Sequence, residues 1–323
     1  MLLCSYSTNS EAKEMNSNNE RPLMVSIKCM VYNHAPYLHQ CLDGFIMQKT
    51  NFRFEAVVHD DASTDNSAEI IREYAQKYPD IIKPYIEEEN VYSKDKVLLR
   101  KLSNDLCTGK YVAHCEGDDF WTDPYKLQKQ VDYMEAHPDC SLCFTAATII
   151  YEKCVIENYK LPFEEQTTRD YYGTELAKKW VVATASILHI NDMQDYPYDP
   201  RFIYGDFPLI LYMQQKGYIH CIGEKMVTYR RNANSVLFQT KNIHNIINHY
   251  EAIKEVFGQK YNCVDDRIVP LYMKVFKLGK FGKESWKALF SILRKPRYVI
   301  LMIRFLPTVL FRSKKDKVQY VIR

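Results

Sequence analysis

Along the first half of the chain, apolar residues alternate between two patterns. Predominantly apolar, β-prone runs at Met24 to Tyr32, Phe54 to His59, Ile82 to Ile86, Tyr111 to Cys115 and Cys140 to Ile150 read as strands. Between them, apolar positions recur at helical spacing. Tyr37, Leu38, Cys41, Phe45 and Ile46 follow Pro36, which suits a first helical turn; Ile70, Ile71, Tyr74 and Tyr78 follow Asn66, with Glu69 placed for a capping-box-like start. A further helix is expected near Val97 to Cys107, and another carries Leu127, Val131 and Met134. Strand and helix in alternation predict an α/β fold: a mostly parallel central sheet with helices on both faces, binding ligands beyond the carboxyl ends of its strands.

After Ile150 the regularity fades. Tyr151 to Tyr172 is charged and aromatic and reads as a loop or hairpin over the site, Thr174 to Lys179 as a short helix, and Val181 to Ile190 as a strand carrying Thr184 and Ser186. Gly205 allows a sharp turn into a helix with Leu209, Ile210 and Met213 inward. Ile219 to Ile222 and Met226 to Tyr229 read as two short strands.

With 323 residues and 46% hydrophobic content, the chain can bury one large core or a core with an appendage. Its net charge of +3 hides an asymmetry, because from Lys274 onward 14 lysines and arginines face 2 acidic residues. The same segment is rich in Leu, Ile and Phe, yet Arg304 and Pro307 interrupt its best apolar run, so it is not expected to span a bilayer. Two readings stand: helices lying in the interface of an anionic membrane, or helices packed on the domain with a solvated basic face. No recognisable motif accompanies the charge, so nucleic acid is not an expected partner. The 10 cysteines are scattered, and Cys140 and Cys143 lack a second pair or nearby His to complete a zinc site, which favours reduced thiols and a cytoplasmic location. The first twenty or so residues are polar, with neither a basic nor a long apolar segment, and are expected to be a disordered leader.

The candidate chemistry lies where strands end. Glu116, Asp118 and Asp119 stand within four residues after the strand at Tyr111. Their mutual repulsion makes sense if a cation neutralises them, and a hard ion such as Mg(II) or Mn(II) takes one or two carboxylates and fills its other positions with water and phosphate oxygens. The alternative is a solvated acidic turn before the next helix. Tyr32-Asn33 and Asp60-Asp61 fall at two other strand ends, where Tyr32 can stack on a base and Asp61 can accept a hydrogen bond from a pyrimidine ring N–H. Asp206, at the mouth of a helix, suits either an N-cap or a general base.

Taken together, Val31-Tyr32-Asn33, His59-Asp60-Asp61-Ala62-Ser63-Thr64-Asp65, Gly109-Lys110-Tyr111, Glu116-Gly117-Asp118-Asp119-Phe120-Trp121, Tyr204-Gly205-Asp206 and Tyr229-Arg230 resemble, in this order, the motifs of family 2 glycosyltransferases. The resemblance covers roughly residues 24 to 235 and implies the GT-A fold. It implies that Tyr32 and Asp61 contact the donor base, that Asp60 lies beside the ribose or supports the loop, and that Asp119 binds the metal. Asp118 would hold the ribose or a coordinated water, and Asp206 would be the general base of an inverting transfer. Where relatives often carry a third metal or diphosphate ligand, this chain has Asn232, whose amide oxygen can still ligate a hard ion; the alternative is that Arg230 or Arg231 meets the diphosphate instead. Met30 stands where many relatives have a small polar residue, which alters the edge of the nucleotide pocket.

The resulting expectation is a metal-dependent enzyme moving one sugar from a nucleotide sugar, with UDP as the expected nucleotide, to a lipid-linked acceptor or growing surface glycan at the inner face of the membrane. The motif and membrane helices of processive synthases are absent from the sequence. A catalytically silent nucleotide-sugar-binding module and a sugar-phosphate nucleotidyltransferase are the alternatives, the latter lacking its usual early Gly-rich loop. The expected organisation is a leader over 1–23, a catalytic domain over 24–240 with a nucleotide-binding half (24–125) and an acceptor half (126–240), and a helical C-terminal region over 241–323.

Overall fold

A computed structural model describes residues 22–152, 162–179, 181–231, 243–278 and 283–311. Strands β1 (Leu23–Val31), β2 (Arg53–Asp60), β3 (Ile82–Ile86) and β4 (Tyr111–His114) form a parallel half-sheet in the order β3-β2-β1-β4. Helices α1 (Ala35–Ile46), α2 (Ser67–Lys77) and α3 (Val91–Asp105) connect them. Beyond β4 the sheet is mixed: β5 (Phe120–Trp121), β6 (Cys140–Tyr151), β7 (Arg169–Tyr171), β8 (Leu188–Ile190) and β9 (Tyr218–Arg231) continue it. Here β8 runs antiparallel between β4 and β6, β9 lies parallel to β6, and β5 and β7 pair antiparallel with β9. Helix α4 (Lys126–Ala136) joins β5 to β6, α5 (Glu175–Lys178) follows β7, and α6 (Asp206–Lys216) precedes β9.

Two apolar cores lie on this frame. One gathers β1, β2, α1 and α4, with Ile27, Leu38, Phe45 and Leu127 fully buried. The other joins α6 to four C-terminal helices, α7 (Ile243–Phe257), α8 (Asp265–Leu278), α9 (Lys283–Leu293) and α10 (Pro296–Phe311), through Ile210, Met213, Ile253, Ile268 and Ile292. The C-terminal helices therefore complete the core of the second half of the sheet.

Several elements differ from the sequence reading. No capping box forms at α2. Asn66 makes no side-chain cap, and Asp65 instead accepts from the N–H groups of Ser67 and Ala35, tying the starts of α1 and α2 together. Helix α3 begins at Val91, six residues before the expected start, because Asn90 caps it and Asp61 takes its first N–H groups; it then breaks at Asp95, whose carboxylate accepts from Val97 and Leu98. Of the expected strand at Val181 to Ile190 only β8 pairs as a strand, since Thr184–Ser186 coil into a 3-10 turn with the Ser186 hydroxyl bonded to the Ala183 carbonyl. The two short strands expected after Gly217 are one strand, β9, with irregular register against β6 between Ile222 and Val227. Much of the loop expected over the site (153–161) lies outside the described residues.

All eight cysteines among the described residues are free, seven of them buried. Cys140 and Cys143 lie in β6, where burial raises both thiols, Cys140 to about 11.

Two histidines, His189 buried and His114 half-buried, bridge the sheet. His189 Nδ1 bonds to the Ile190 carbonyl and its Nε2 lies 3.0 Å from Nε2 of His114, so His114 donates and both rings are neutral. Burial is the main cause that lowers both, His189 to about 4, with His114 depressed further by its partner. Because these rings bind protons less readily in the fold than in the unfolded chain, stability rises with pH between the two values and is lost as pH falls from about 6.5 towards 4. At pH 5 the expected loss from His189 alone is about 2 kcal/mol relative to pH 7. Urea unfolding at the two pH values measures it, and the pH-dependent difference should shrink in His189→Gln.

Candidate active site

The carboxyl ends of β1, β2 and β4 open on one side of the sheet, and the loops there lock one another. Asn33, after β1, adopts φ 56° and its side-chain oxygen accepts from the N–H of Thr64 at 2.8 Å, while its own N–H donates to the Ser63 hydroxyl at 2.9 Å. Ala62, after β2, is also left-handed at φ 56°, an unfavourable conformation for a residue with a Cβ that these bonds hold in place. Asp60 is fully buried and accepts from the N–H and hydroxyl of Ser63, so it supports the loop. Asp61 accepts from Val91 and Tyr92 N–H at 2.7 and 3.0 Å, which anchors the start of α3 and leaves lone pairs on both oxygens. Beside it Tyr32 is 46% exposed, with a ring face open to a ligand.

The acidic loop after β4 is held from below and from the side. The N–H of Gly117 donates to the Met30 carbonyl, and a Cβ on Gly117 would lie 2.8 Å from His34 Nδ1, so only glycine lets the loop sit against β1. Trp121 packs beneath, its indole N–H donating to the Ala185 carbonyl at 2.9 Å. Asp119 is 2% exposed and accepts the backbone N–H of Arg230 at 2.7 Å. Arg230 further donates through Nε to the Asp118 carbonyl and through its guanidinium to Gln40, and lies over the rings of Tyr37 and Phe120. Arg230 thus braces the loop. Arg231 is buried, and Asn232 lies outside the described residues.

Asp206 starts α6. Gly205 is the residue at the N-cap position, so Asp206 does not cap the helix; its Oδ1 accepts the N–H of Phe207 at 2.8 Å and its Oδ2 lies 3.4 Å from the Thr184 hydroxyl. Burial raises its pKa, against the lowering effects of these bonds and of the Arg100 charge. Its charge also reaches the acidic loop. Although Glu116 is solvent-exposed, lost solvation among the neighbouring loops and the negative charges of Asp118 and Asp206 raise that carboxyl above the ordinary carboxylate range. Asp119 is raised well above the usual carboxylate range, by burial first and then by Asp118. The structure therefore brings Asp206 to the acidic loop, and Asp60, Asp61 and Tyr32 to the neighbouring strand ends.

Two contributors were not singled out in the sequence. Arg100, on α3, donates to the carbonyls of Phe202 and Ile203 at 2.8 and 3.0 Å and so fixes the segment leading to Asp206. Glu152 accepts from the Tyr37 hydroxyl at 2.9 Å and lies 3.7 Å from the Arg230 guanidinium. Both are single charged residues in polar surroundings, with no motif to mark them.

The sequence matches the family description Glycosyl transferase family 2 over residues 26–238. It is 34% identical over 218 residues to an uncharacterised protein of Mycobacterium tuberculosis, an alignment covering 66% of this chain and 60% of that one. It is also 34% identical over 115 residues to the putative glycosyltransferase EpsE of Bacillus subtilis, covering 35% and 39% of the two chains. Among solved structures, the mannosyltransferase PcManGT from Pyrobaculum calidifontis, in complex with GDP-Man and Mn2+, superposes with a TM-score of 0.56 at 15% identity over 94% of this chain and 85% of that one. S. aureus TarS 1-349 in complex with UDP-GlcNAc gives 0.55 at 14% identity, over 93% and 84%. The fold shared with these structures is the GT-A fold.

Proposed function

The chain belongs to glycosyl transferase family 2, and from that premise we propose that it moves a single sugar from a nucleoside-diphosphate sugar to an acceptor hydroxyl with inversion. The observation that carries this reading is the approach of Asp206, half-buried and raised in pKa, to the acidic loop across the cleft. Tyr32 and Asp61 hold the base, Asp60 keeps their loop in shape, and Asp118 and Asp119 face the diphosphate. The donor is a UDP or GDP sugar, the two nucleotides present in the related structures' complexes.

Asp119 and Asp118 fit a hard divalent ion, Mn(II) or Mg(II). A buried carboxyl raised by its neighbour's charge is stabilised as the anion by a cation. Among the described residues no three acidic, His or Cys side chains stand close enough to hold a metal alone, so water and phosphate oxygens would complete the coordination. When bound, such an ion supplies Lewis-acid stabilisation of the departing diphosphate. Asp206 accepts the proton of the attacking hydroxyl, and its raised pKa makes it a stronger base than an exposed carboxylate. The Arg100 clamp keeps that carboxylate aimed as the bond forms. A thermal-shift screen of nucleoside diphosphates with and without Mn(II) tests the reading; no stabilisation by any of them would reject it.

A second observation bears on the acceptor. Helices α9 and α10 bury Ile292, Tyr298 and Leu301, yet Trp286, Phe290, Leu293, Ile300, Ile303 and Leu306 are exposed, Ile300 by 69%. Lys287, Arg294, Arg297 and Arg304 accompany them and are exposed. No helix among the described residues is long and apolar enough to cross a membrane. An apolar face bordered by cations suits the interface of an anionic bilayer, which favours a lipid-linked acceptor. Phe290→Glu with Ile300→Glu should release the protein from phosphatidylglycerol vesicles in a flotation assay, and undiminished binding would refute this part.

A further inference from the structure

From Val181 to His189 every residue is buried except Thr184, which is half-buried. The 3-10 turn at Thr184–Ser186 interrupts this run, so that β8 begins only at Leu188. The turn is fixed from several sides. Its Ala185 carbonyl accepts the indole N–H of Trp121 at 2.9 Å, its Ser186 carbonyl accepts from the Gln130 amide at 3.0 Å, and the next carbonyl, of Ile187, accepts the N–H of His114 at 3.0 Å. Trp121 follows Asp119 by two residues, so the turn and the acidic loop share one footing. The one residue of the run that packing leaves partly open carries a hydroxyl, and that hydroxyl lies 3.4 Å from Oδ2 of Asp206.

The two oxygens of Asp206 are held differently. Oδ1 accepts the N–H of Phe207 at 2.8 Å, a bond to the first turn of α6. Held at Oδ1 alone, a carboxylate still swings its second oxygen; a further contact at Oδ2 fixes its plane. Arg100 also acts on this carboxylate, but its guanidinium is occupied by the carbonyls of Phe202 and Ile203. Thr184 is the side chain placed to hold Oδ2. Its contact is longer than the about 2.8 Å of a relaxed O–H···O bond. Catalytic hydrogen bonds that are long in a free enzyme tighten once substrate fills the site.

We propose that Thr184 is a positioning residue for the base. Its hydroxyl donates to Oδ2 of Asp206, fixes the carboxylate plane and makes Oδ2 the oxygen that takes the proton of the attacking hydroxyl; Thr184 keeps its own proton throughout. Thr184 meets the base and its neighbour Ala185 meets Trp121, so adjacent residues of one turn set the spacing between Asp206 and the acidic loop. This deepens the transfer reading above and rests on it for the role of Asp206, whereas the hydrogen bond itself does not.

Thr184→Val removes the hydroxyl and keeps the shape of the side chain. Release of UDP from UDP-GlcNAc or of GDP from GDP-Man, with Mn(II) present and water as acceptor, is expected to fall about tenfold to a hundredfold in kcat, with the donor KM and the melting temperature unchanged. A hydrogen bond to the charged form holds a carboxyl down, so its loss raises the Asp206 pKa and moves the acid limb of the rate profile to higher pH. Thr184→Ser should restore both. In an Asp206→Asn background Thr184→Val should cost nothing further, because the two residues act as one unit. NMR titration of isotope-labelled aspartate carboxyls in the metal-free protein follows the Asp206 pKa without turnover, the Asp206→Asn spectrum assigning the resonance. An unshifted Asp206 pKa in Thr184→Val, an undiminished kcat, a full-sized loss in the Asp206→Asn background, or a Ser variant as impaired as Val would each overturn the proposal. Turnover that survives Asp206→Asn, while the Asp206 pKa still rises in Thr184→Val, would instead defeat the transfer reading and leave the Thr184 hydrogen bond standing.

Discussion

Replacing Asp206 with Asn lowers transfer by about a thousandfold, within the range general-base catalysis supplies, while nucleotide affinity stays within about twofold. The amide keeps the shape of the side chain and still accepts the Phe207 N–H, which is 2.8 Å from Oδ1 in the native protein. What disappears is the ability to take a proton. The loss therefore falls on kcat rather than on donor binding, and single-turnover transfer with calorimetry of UDP binding separates the two. The wild-type pH profile gives an independent check. Because burial raises the Asp206 pKa, the rate falls as pH drops through a value above the ordinary carboxylate range, and this acid limb is absent from the residual activity of the Asn variant. Turnover that survives the substitution would remove Asp206 from the mechanism.

Changing Asp119 to Asn lowers metal-supported transfer by about a hundredfold or more, since it removes the anion that holds the ion while leaving the loop intact. The amide oxygen still accepts from Arg230, whose N–H lies 2.7 Å from Oδ1. Without metal the variant should be at least as stable as wild type, because a carboxyl raised by burial and by Asp118 has become neutral. Asp119→Ala leaves the Arg230 N–H unpaired and should cost a further ~1–3 kcal/mol. Melting curves of both variants with and without Mn(II) distinguish loss of charge from loss of the brace. Equal Mn(II) responses in wild type and Asp119→Asn would contradict the assignment.

The first four strands were legible because parallel strands covered on both faces are written as largely apolar, β-branched-rich runs, as in β1 and β2, where single polar residues such as Lys28 and Glu55 do not break the pattern. Strand β9 was not, because Gly223, Glu224 and Lys225 interrupt its apolar pattern at the irregular register, where Gly223 comes close to the backbone of Thr167 and Thr168. The start of α3 was missed since its anchor, Asp61, lies thirty residues earlier in the chain than Val91. Lys126 and Gln130 look like the solvent face of α4 yet are buried, with the ammonium bonded to Gln130 and set over the Trp121 ring, and desolvation pushes it down to about 7. The acidic loop, Asp61 and Asp206 could be read because each ends a strand or opens a helix in a recognisable string. Arg100 could not. It is a lone cation on a helix, and its surroundings arise only when segments far apart in sequence meet.

Strand β9 also sets where this chain can change length. Opposite Thr145 to Ala147 its pairing skips from Ile222 to Lys225 to Val227, so an inserted or deleted residue near Gly223 alters only the size of a bulge. From Val227 to Arg231 the pairing with β6 is continuous. One residue more or less there would turn every side chain to the opposite face and carry the Arg230 N–H away from Asp119. Indels in descendants of this sequence should gather at the first place and be purged from the second.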